Sequence, residues 1–569
     1  MTATISNGQV KRLPRGTVLD ADGRPTSSRA PLDIRATGYG NYGANVTKNS
    51  LVGWLWRGGD ADIDIGLNAQ ILRERSRDAF MGIPLASGAI ETLDTNVIGE
   101  GLMPAPNVDG EALGLSPDAT AALNDELAEK FDWWACDPRE CDFEGKNSFY
   151  IKQSVAFQSM LLSGDCPVLF PLDKRPNTLF DFRLRVLEAD RIINPWVSDP
   201  MKNIFNGVEL DADGRLLAYH IAERHPLASM RLGWVVPSLM FPAKTFRVEP
   251  YGALTGRRNM ILLIKPERPE QRRGVPILSV CLELLKQMGR YTDATVVAAV
   301  IQSYFTAFIT QDFPDQNIFT DLLTEEQKQE ILNLNPYDVQ LGPGIVNFMR
   351  PGNKVNFSSP TQPQSTFGEF TMSVAKFIGS ALGIPYEVLL KQYNASYSAS
   401  RAALLDFWRR VRKWRSQVVD QFCQPVYEEW LIDAVTLGVI EGFTGDMTDP
   451  YVRRSLARCN WSGSSAGSLD PQKEVAAAEA KVNAGFSTIE RESMELNGSN
   501  WHDNVVEQAV EKKTFTDNDL TFPPERAGAQ LGAGGKTFPT PGPGQGNPAA
   551  RARTRRQNHS YILSGAISR

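Results

Sequence analysis

Two long stretches of helical periodicity constrain this chain more than any other feature. In residues 275–303 the apolar side chains Ile277, Cys281, Leu284, Met288 and Tyr291 recur at spacings of four and three. That is the stripe of a helix packed along one face. At 1.5 Å per residue it is roughly 45 Å long. A still longer helix is expected from about Ser400 to residue 436, with Leu404, Trp408, Val411, Val418, Phe422 and Val426 on one side. Pro425 should kink it or mark its break. Such helices are as long as a small domain is wide, so the chain around them has to be organised along them.

Between the two helices lies a small mixed module. It reads as a strand near Phe305–Thr310, a helix over Thr324–Leu334, the run Gly344–Met349, a turn at Arg350–Asn353 and the run Lys354–Phe357. A further helix follows from about 366 to 382, then a loop over 383–398 rich in Tyr, Ser and Asn. Ahead of the first long helix, helical patterns at 68–96, 117–134 and 147–163 give way to alternating runs. Those runs are Cys166–Pro171, Phe182–Leu187, Gly207–Leu210, Leu216–Ile221, 244–249 and 259–264. Asp211-Ala-Asp-Gly214 between two of them is a hairpin signal. Helices at 470–484, 487–496 and 500–513 close the periodic region. The fold class is α+β.

Length and composition set the outer bounds. The 569 residues allow three or four domains. With 42% hydrophobic and 22% charged residues, the chain is neither mainly disordered, collagenous nor disulfide-stapled. The six cysteines form no CxxC pair, so no zinc ribbon or disulfide framework is indicated. The best candidate for a membrane span, Ala294–Phe308, is interrupted by Gln302, Ser303 and Thr306. The first residues lack a signal-peptide core, so a cytosolic origin is expected. The ends differ from the body. Residues 521–569 hold six Pro and eight Gly, a composition that cannot bury enough apolar surface to order itself.

Charge divides the same way. Residues 1–47 carry six basic and three acidic side chains, and 521–569 carry seven basic and one acidic; the whole chain is −6, so residues 48–520 stand at −15. A body that acidic does not grip nucleic acid over its main surface.

Several short motifs invite a catalytic reading, and each has a plainer one. Gly38-Tyr-Gly-Asn-Tyr-Gly43 matches G-x-G-x-x-G but lacks the preceding apolar strand. Gly463-Ser-Ser-Ala-Gly467 would make Ser465 the nucleophile of a serine hydrolase, which remains the alternative from another class. Its plainer reading is a Gly/Ser linker before an Asp470-Pro471 helix start. Asp60-Ala-Asp-Ile-Asp64 has calcium-loop acids without the closing glutamate, and His220 and His225 have no carboxylate or cysteine partners at ligand spacing. One basic-aromatic cluster stands out: Arg401, Trp408, Arg409, Arg410, Arg412, Lys413, Trp414 and Arg415. It is a solvated helix face or a set of phosphate contacts.

A series of strings then recurs in a fixed order. Arg73–Phe80 is followed by Ala89–Leu102, Leu187–Ile192, Gly207–His220 and Pro266–Val275. Gly383-Ile-Pro-Tyr-Glu-Val-Leu389, Tyr393–Ala402, Cys459–Gly463, Asp470–Val475 and Asn483–Glu490 complete it. From about residue 50 to 515 this order closely resembles the lambda-type family of tailed-phage portal proteins. The resemblance implies a ring, usually of twelve subunits, at one capsid vertex, through which double-stranded DNA is packaged and ejected. It implies a portal fold: an α/β wing (48–273), stem helices (274–303 and 363–382), a small α/β clip between them (304–362) and a tunnel loop (383–398). A long helix returning to the wing (399–464) and a helical crown (465–515) follow, with a flexible arm (1–47) and a disordered tail (516–569) outside.

It further implies that the chain is not an enzyme and needs no cofactor or metal. The packaging motor is the large terminase, docked on the clip, where Glu325, Glu326, Arg350 and Lys354 are the candidate contacts. Other implied partners are the major capsid and scaffolding proteins and a head-completion or adaptor protein, in the virion and, during assembly, the host cytoplasm. The candidate DNA-tunnel residues are Lys391, Tyr393, Asn394, Ser396, Tyr397 and Ser398. The candidate phosphate contacts are Arg401, Arg409, Arg410, Arg412 and Lys413. A different ring-forming head–tail connector is the nearest alternative.

Overall fold

In the computed structural model, the described residues are 58–196, 202–226, 244–303, 367–393, 397–443, 445–465, 471–497 and 501–518. Short pieces at 3–6, 9–12, 49, 307–309, 324–326, 329 and 346–348 are also described. The helices are α1 (Ala61–Gly66), α2 (Ala69–Gly82), α3 (Pro84–Val97), α4 (Pro117–Cys136), α5 (Pro138–Cys141), α6 (Phe149–Ser163) and α7 (Leu282–Ser303). They continue with α8 (Phe367–Leu382), α9 (Tyr386–Leu390), α10 (Tyr397–Val418), α11 (Gln424–Thr436), α12 (Pro450–Leu456), α13 (Pro471–Asn483), α14 (Ile489–Asn497) and α15 (Trp501–Asp517).

The long helix is the spine. It runs as α10, one π turn at Val419–Cys423 and α11, with Pro425 in the first turn of α11 where its missing N–H costs least. Its apolar face, Phe407, Val411, Trp414, Val418, Phe422, Val426, Tyr427, Trp430 and Leu431, lies in the main core. There Phe131 of α4 contacts Trp134, Phe149, Tyr427 and Trp430 with ring centroids 5.0 to 5.6 Å apart. Polar side chains along the spine meet the backbone of other segments. Arg415 donates to the carbonyls of Asn96 and Val97, 2.8 Å each. Gln417 donates to the Ile264 carbonyl (2.6 Å) while Gln421 accepts from its N–H (3.0 Å). Glu429 accepts from the Arg258 N–H, and Asp433 Oδ2 accepts from those of Asp181 and Phe182, all at 2.9 Å.

Short antiparallel sheets attach to this spine. Strands β3 (Met103–Pro106), β4 (Asp165–Leu169), β5 (Arg185–Val186), β6 (Asn203–Phe205), β7 (Val208–Leu210), β8 (Leu216–Ala222), β9 (Thr245–Val248), β10 (Met260–Ile264) and β13 (Cys459–Ser462) belong here. One sheet has the order β10-β4-β5, another β6-β7-β8-β9, and β13 pairs with β3. Asp211 Oδ1 accepts from the N–H groups of Asp213 and Arg215, closing the expected Asp-Gly turn. In the module between the long helices, β11 (Ala307–Ile309) and β12 (Val346–Phe348) pair in parallel. Its other expected elements, including the turn at Arg350–Asn353, lie wholly or partly outside the described residues. The architecture is thus the expected α+β mixture of long helices and small sheets.

Three expectations need correction. The helical pattern at 68–96 is two helices, because Ile83 is extended (φ −116, ψ 110) ahead of Pro84, which opens α3. Leu284 does not lie on the packed stripe: it is 40% exposed, and Leu285 is buried instead. The cause is a 3₁₀ turn at Ile277–Val280 ahead of α7; at three residues per turn it shifts the phase of everything after it. Within residues 1–47, β1 (Ala3–Ser6) pairs antiparallel with β2 (Gln9–Arg12). The loop over 383–398 is interrupted by α9, and α10 already begins at Tyr397.

The segment leading into α7 crosses the start of β4 at very close range. Gly164 (φ +89) and Gly274 touch backbone to backbone, and a Cβ on either would collide with the other. Beside them Asp165, fully buried, pairs with Arg273 (2.6 Å) and Arg73 (3.2 Å) and accepts from the Gly274 N–H (3.1 Å). Burial pushes the Asp165 carboxyl up, but the Arg273 and Arg73 guanidiniums and the hydrogen bonds outweigh it and hold it below the ordinary carboxylate range. Asp142 is lowered in the same way, burial being offset by Lys152 and the N–H groups of Lys146, Glu144 and Asn147. A depressed folded pKa means that the unfolded chain binds protons first on acidification. The stabilisation is therefore complete above about pH 4 and is lost as pH falls toward the folded values. Urea midpoints measured from pH 7 to pH 2 should stay level to about pH 4 and then fall. A midpoint that rises below pH 4 would contradict both assignments.

Candidate nucleic-acid interface

The turn between α8 and α10 is built from residues with restricted choices. Helix α8 ends at Leu382, and Gly383 takes φ +64 with its α-carbon against the Arg410 guanidinium, where a side chain would not fit. Pro385 caps α9, whose buried face is Glu387, Val388 and Leu389. The helix then stops at Lys391 in a left-handed conformation (φ 55, ψ 35), its N–H bonded to the Glu387 carbonyl. That geometry costs a non-glycine residue roughly 1–2 kcal/mol. It turns the chain outward, so that Lys391, Gln392 and Tyr393 are exposed, Tyr393 by 57%. Asn394 and Ser396 lie outside the described residues. Tyr397 and Ser398 open α10 instead of extending the loop.

Helix α10 sorts its cations by face. Arg409, Arg412 and Lys413 are exposed, opposite the buried Phe407, Val411 and Trp414, and Arg401 is half-buried. Arg410 is half-buried, packed against Gly383 with its Nε sealed from solvent. Arg415 is structural: besides Asn96 and Val97 it donates to the Ser464 carbonyl (2.6 Å) and lies over the Trp408 ring. Burial pushes its guanidinium down to about 10. Sequence spacing does not separate these arginines, because helix phase relative to the core decides which are free. In the module ahead of α8, Glu325 and Glu326 are exposed, while Arg350 and Lys354 lie outside the described residues.

Histidines that look isolated in sequence acquire partners. His220 Nε2 lies 2.9 Å from Glu209, which also pairs with Arg247, and His225 lies 3.3 Å from Glu188 and 3.8 Å from Asp190. The pairing of β7 with β8 joins the first pair, and neighbouring loops join the second. Glu188, Asp190 and His225 lie close enough together to hold a cation, but Arg77 already pairs with Asp190 at 2.5 Å. The acids of the calcium-like run are likewise occupied: Asp60 caps α1, Asp62 pairs with Arg272 and Asp64 with Arg268. A cavity of about 810 Å³ beside the π turn is lined by Asp420, Glu428, Arg453, Arg454 and Arg458. Cys459 also lines it, with its thiol pushed up by burial and so protonated. Past Ser465 the next described helix begins only at Pro471.

Residues 47–415 match the family profile of the lambda-family phage portal proteins. The chain belongs to that family. It is 24% identical over 456 residues to portal protein B of Escherichia phage lambda, covering 77% of this chain and 83% of that one. It is 23% identical over 516 residues to the portal protein of Escherichia phage N15, covering 88% and 93%. Among solved structures it is similar to a chain described as the neck of a native GTA particle computed with C12 symmetry, at 13% identity and a TM-score of 0.40, covering 75% of this chain and 92% of that one. A portal protein is the head–tail connector of a phage, a ring-forming structural subunit of the virion and not an enzyme. This portal chain has, among its described residues, no helix long and apolar enough to cross a membrane.

Proposed function

We propose that twelve copies of this chain close into a ring at one capsid vertex, and that double-stranded DNA passes through its centre during packaging and ejection. The turn from Lys391 to Ser398 lines the narrowest part of the tunnel, and Arg409, Arg412 and Lys413 make transient phosphate contacts. What carries this reading is the outward left-handed turn at Lys391, which presents one cation and a tyrosine between two helices of an acidic body. A channel that moves a genome must not hold it. Each neutralised phosphate adds binding free energy, so few cations on a repelling wall suit passage better than many.

Residues 304–362, at a net −4, dock the large terminase through Glu325, Glu326, Arg350 and Lys354 and later the head-completion or adaptor protein. The outer surface of 48–273 meets the major capsid and scaffolding proteins. The test of the tunnel assignment is DNA packaging and retention by particles carrying Lys391→Gln or a deletion of residues 394–396. The substitution should lower retention modestly, and the deletion should abolish it with ring assembly intact. Particles that package and retain full-length DNA with the deletion would remove the tunnel assignment and leave the family assignment standing.

A further inference from the structure

The ring and tunnel readings leave the cavity of about 810 Å³ beside the π turn without a role. One part of its lining is the π turn itself, through Val419 and Asp420, continued by Gln424 and Glu428 of α11. The rest comes from α12, the first residue of β13 and Asp109. A π turn inside a long helix is a local distortion of the kind found often at functional sites. The volume is that of a small-molecule site.

Several polar groups in the lining are already engaged. Gln424 donates to the Ala457 carbonyl (2.8 Å) and accepts from the Trp461 indole (3.0 Å). Glu428 pairs with Arg258, and Asp109 accepts from the Ala112 N–H (3.2 Å). The three arginines are not engaged. Among the described residues, the guanidiniums of Arg453, Arg454 and Arg458 have no hydrogen-bond acceptor and no ion-pair partner, although Arg453 is half-buried. Asp109 and Asp420 are the lining carboxylates without a cation, so three positive charges share the cavity with two negative ones. These five groups line one space without closing a single ion pair. The guanidinium forks are therefore open to whatever enters, in a body whose net charge is otherwise strongly negative.

We propose that this cavity binds a small phosphorylated molecule through Arg453, Arg454 and Arg458. A guanidinium is a planar fork whose N–H groups match the oxygens of a phosphate in pairs. Three such forks suit a group with three or more oxygens and more than one negative charge, which a single carboxylate does not offer. A DNA duplex is too broad to enter a space of this volume. The group recognised is the phosphoryl group itself, carried by a nucleotide or by free pyrophosphate, and Asp420 limits the affinity by repelling it. The proposal does not depend on the ring or on the tunnel assignment.

The test is calorimetric titration of the full-length chain with inorganic pyrophosphate and, separately, with deoxyadenosine triphosphate. Binding of both supports the proposal with the phosphoryl group sufficient; binding of the triphosphate alone supports it with a nucleotide as the source. Arg453→Gln and Arg458→Gln should each weaken the affinity by about tenfold, the size of one charged hydrogen bond. Asp420→Asn should strengthen it, because one repelling charge is gone. Arg453→Gln should unfold at the wild-type temperature, since its guanidinium has no partner to lose, and Arg458→Gln gives the same reading from an exposed position. Arg75→Gln, exposed on α2 and outside the lining, is the control and should bind as the wild type does. A wild type that binds neither anion at millimolar concentration would overturn the proposal. So would an affinity unchanged in both lining variants, or one lowered equally in Arg75→Gln, which would show general charge attraction instead of a site.

Discussion

Asp165→Ala should lower folding stability by about 3–5 kcal/mol, the usual result of removing one partner from a buried ionic cluster. The substitution strands two guanidinium groups at once, because Arg73 and Arg273 both point at this fully buried carboxylate. It also removes the acceptor of the Gly274 N–H. Asp165→Asn separates the two losses, since an amide oxygen can still accept from Gly274 and Arg273 but carries no charge. Urea unfolding followed by circular dichroism should rank the three proteins wild type, Asn, Ala. A loss below about 1 kcal/mol for Asp165→Ala, the size of a surface pair, would mean that the arginines find other acceptors.

Gly274→Ala should be at least as damaging, on the order of 3 kcal/mol or more. The obstacle is not a side chain that can swing aside. The added methyl would meet the carbonyl group of Gly164, and the backbone there is held by β4 on one side and by the Asp165 cluster on the other. Gly289 provides the control. It lies inside α7 with nothing within 4 Å of an added Cβ. Gly289→Ala should therefore raise stability by roughly 0.5–1 kcal/mol through helix propensity alone. Equal effects at the two sites would contradict the crossing described here.

Local signals account for what was legible in the sequence. The helix expected from 366 to 382 is Phe367–Leu382, and the Asp-Gly hairpin and the break near Pro425 are present, because each depends on residues adjacent in the chain. What was not legible depends on phase or on distance. Leu284 and Leu285 exchange roles through one 3₁₀ turn upstream, a slip that periodicity counting over a single continuous helix hides. Arg410 and Arg415 look equivalent in a run of cations, and only contacts with Gly383, Asn96, Val97 and Ser464 tell them apart. Glu209 beside His220 required the strand pairing before it could be seen. The candidate tunnel segment was legible as a polar connector, but its pivot at Lys391 was not, since nothing in a lysine announces a positive φ.

The π turn at Val419–Cys423 has a consequence for how this helix can change over evolutionary time. It adds one residue between Gln417, which serves Ile264, and Gln424, Glu429 and Asp433, which serve Ala457, Arg258 and Phe182. Losing that residue would leave a regular helix and rotate every later partner by about 100° away from its backbone group. Substitutions along the spine can be absorbed one at a time. Insertions and deletions cannot, because each would break all the downstream attachments together. Length is therefore the constrained quantity of this helix, and a variant that gains or loses one residue within it must restore the count before Gln424 to keep the same attachments.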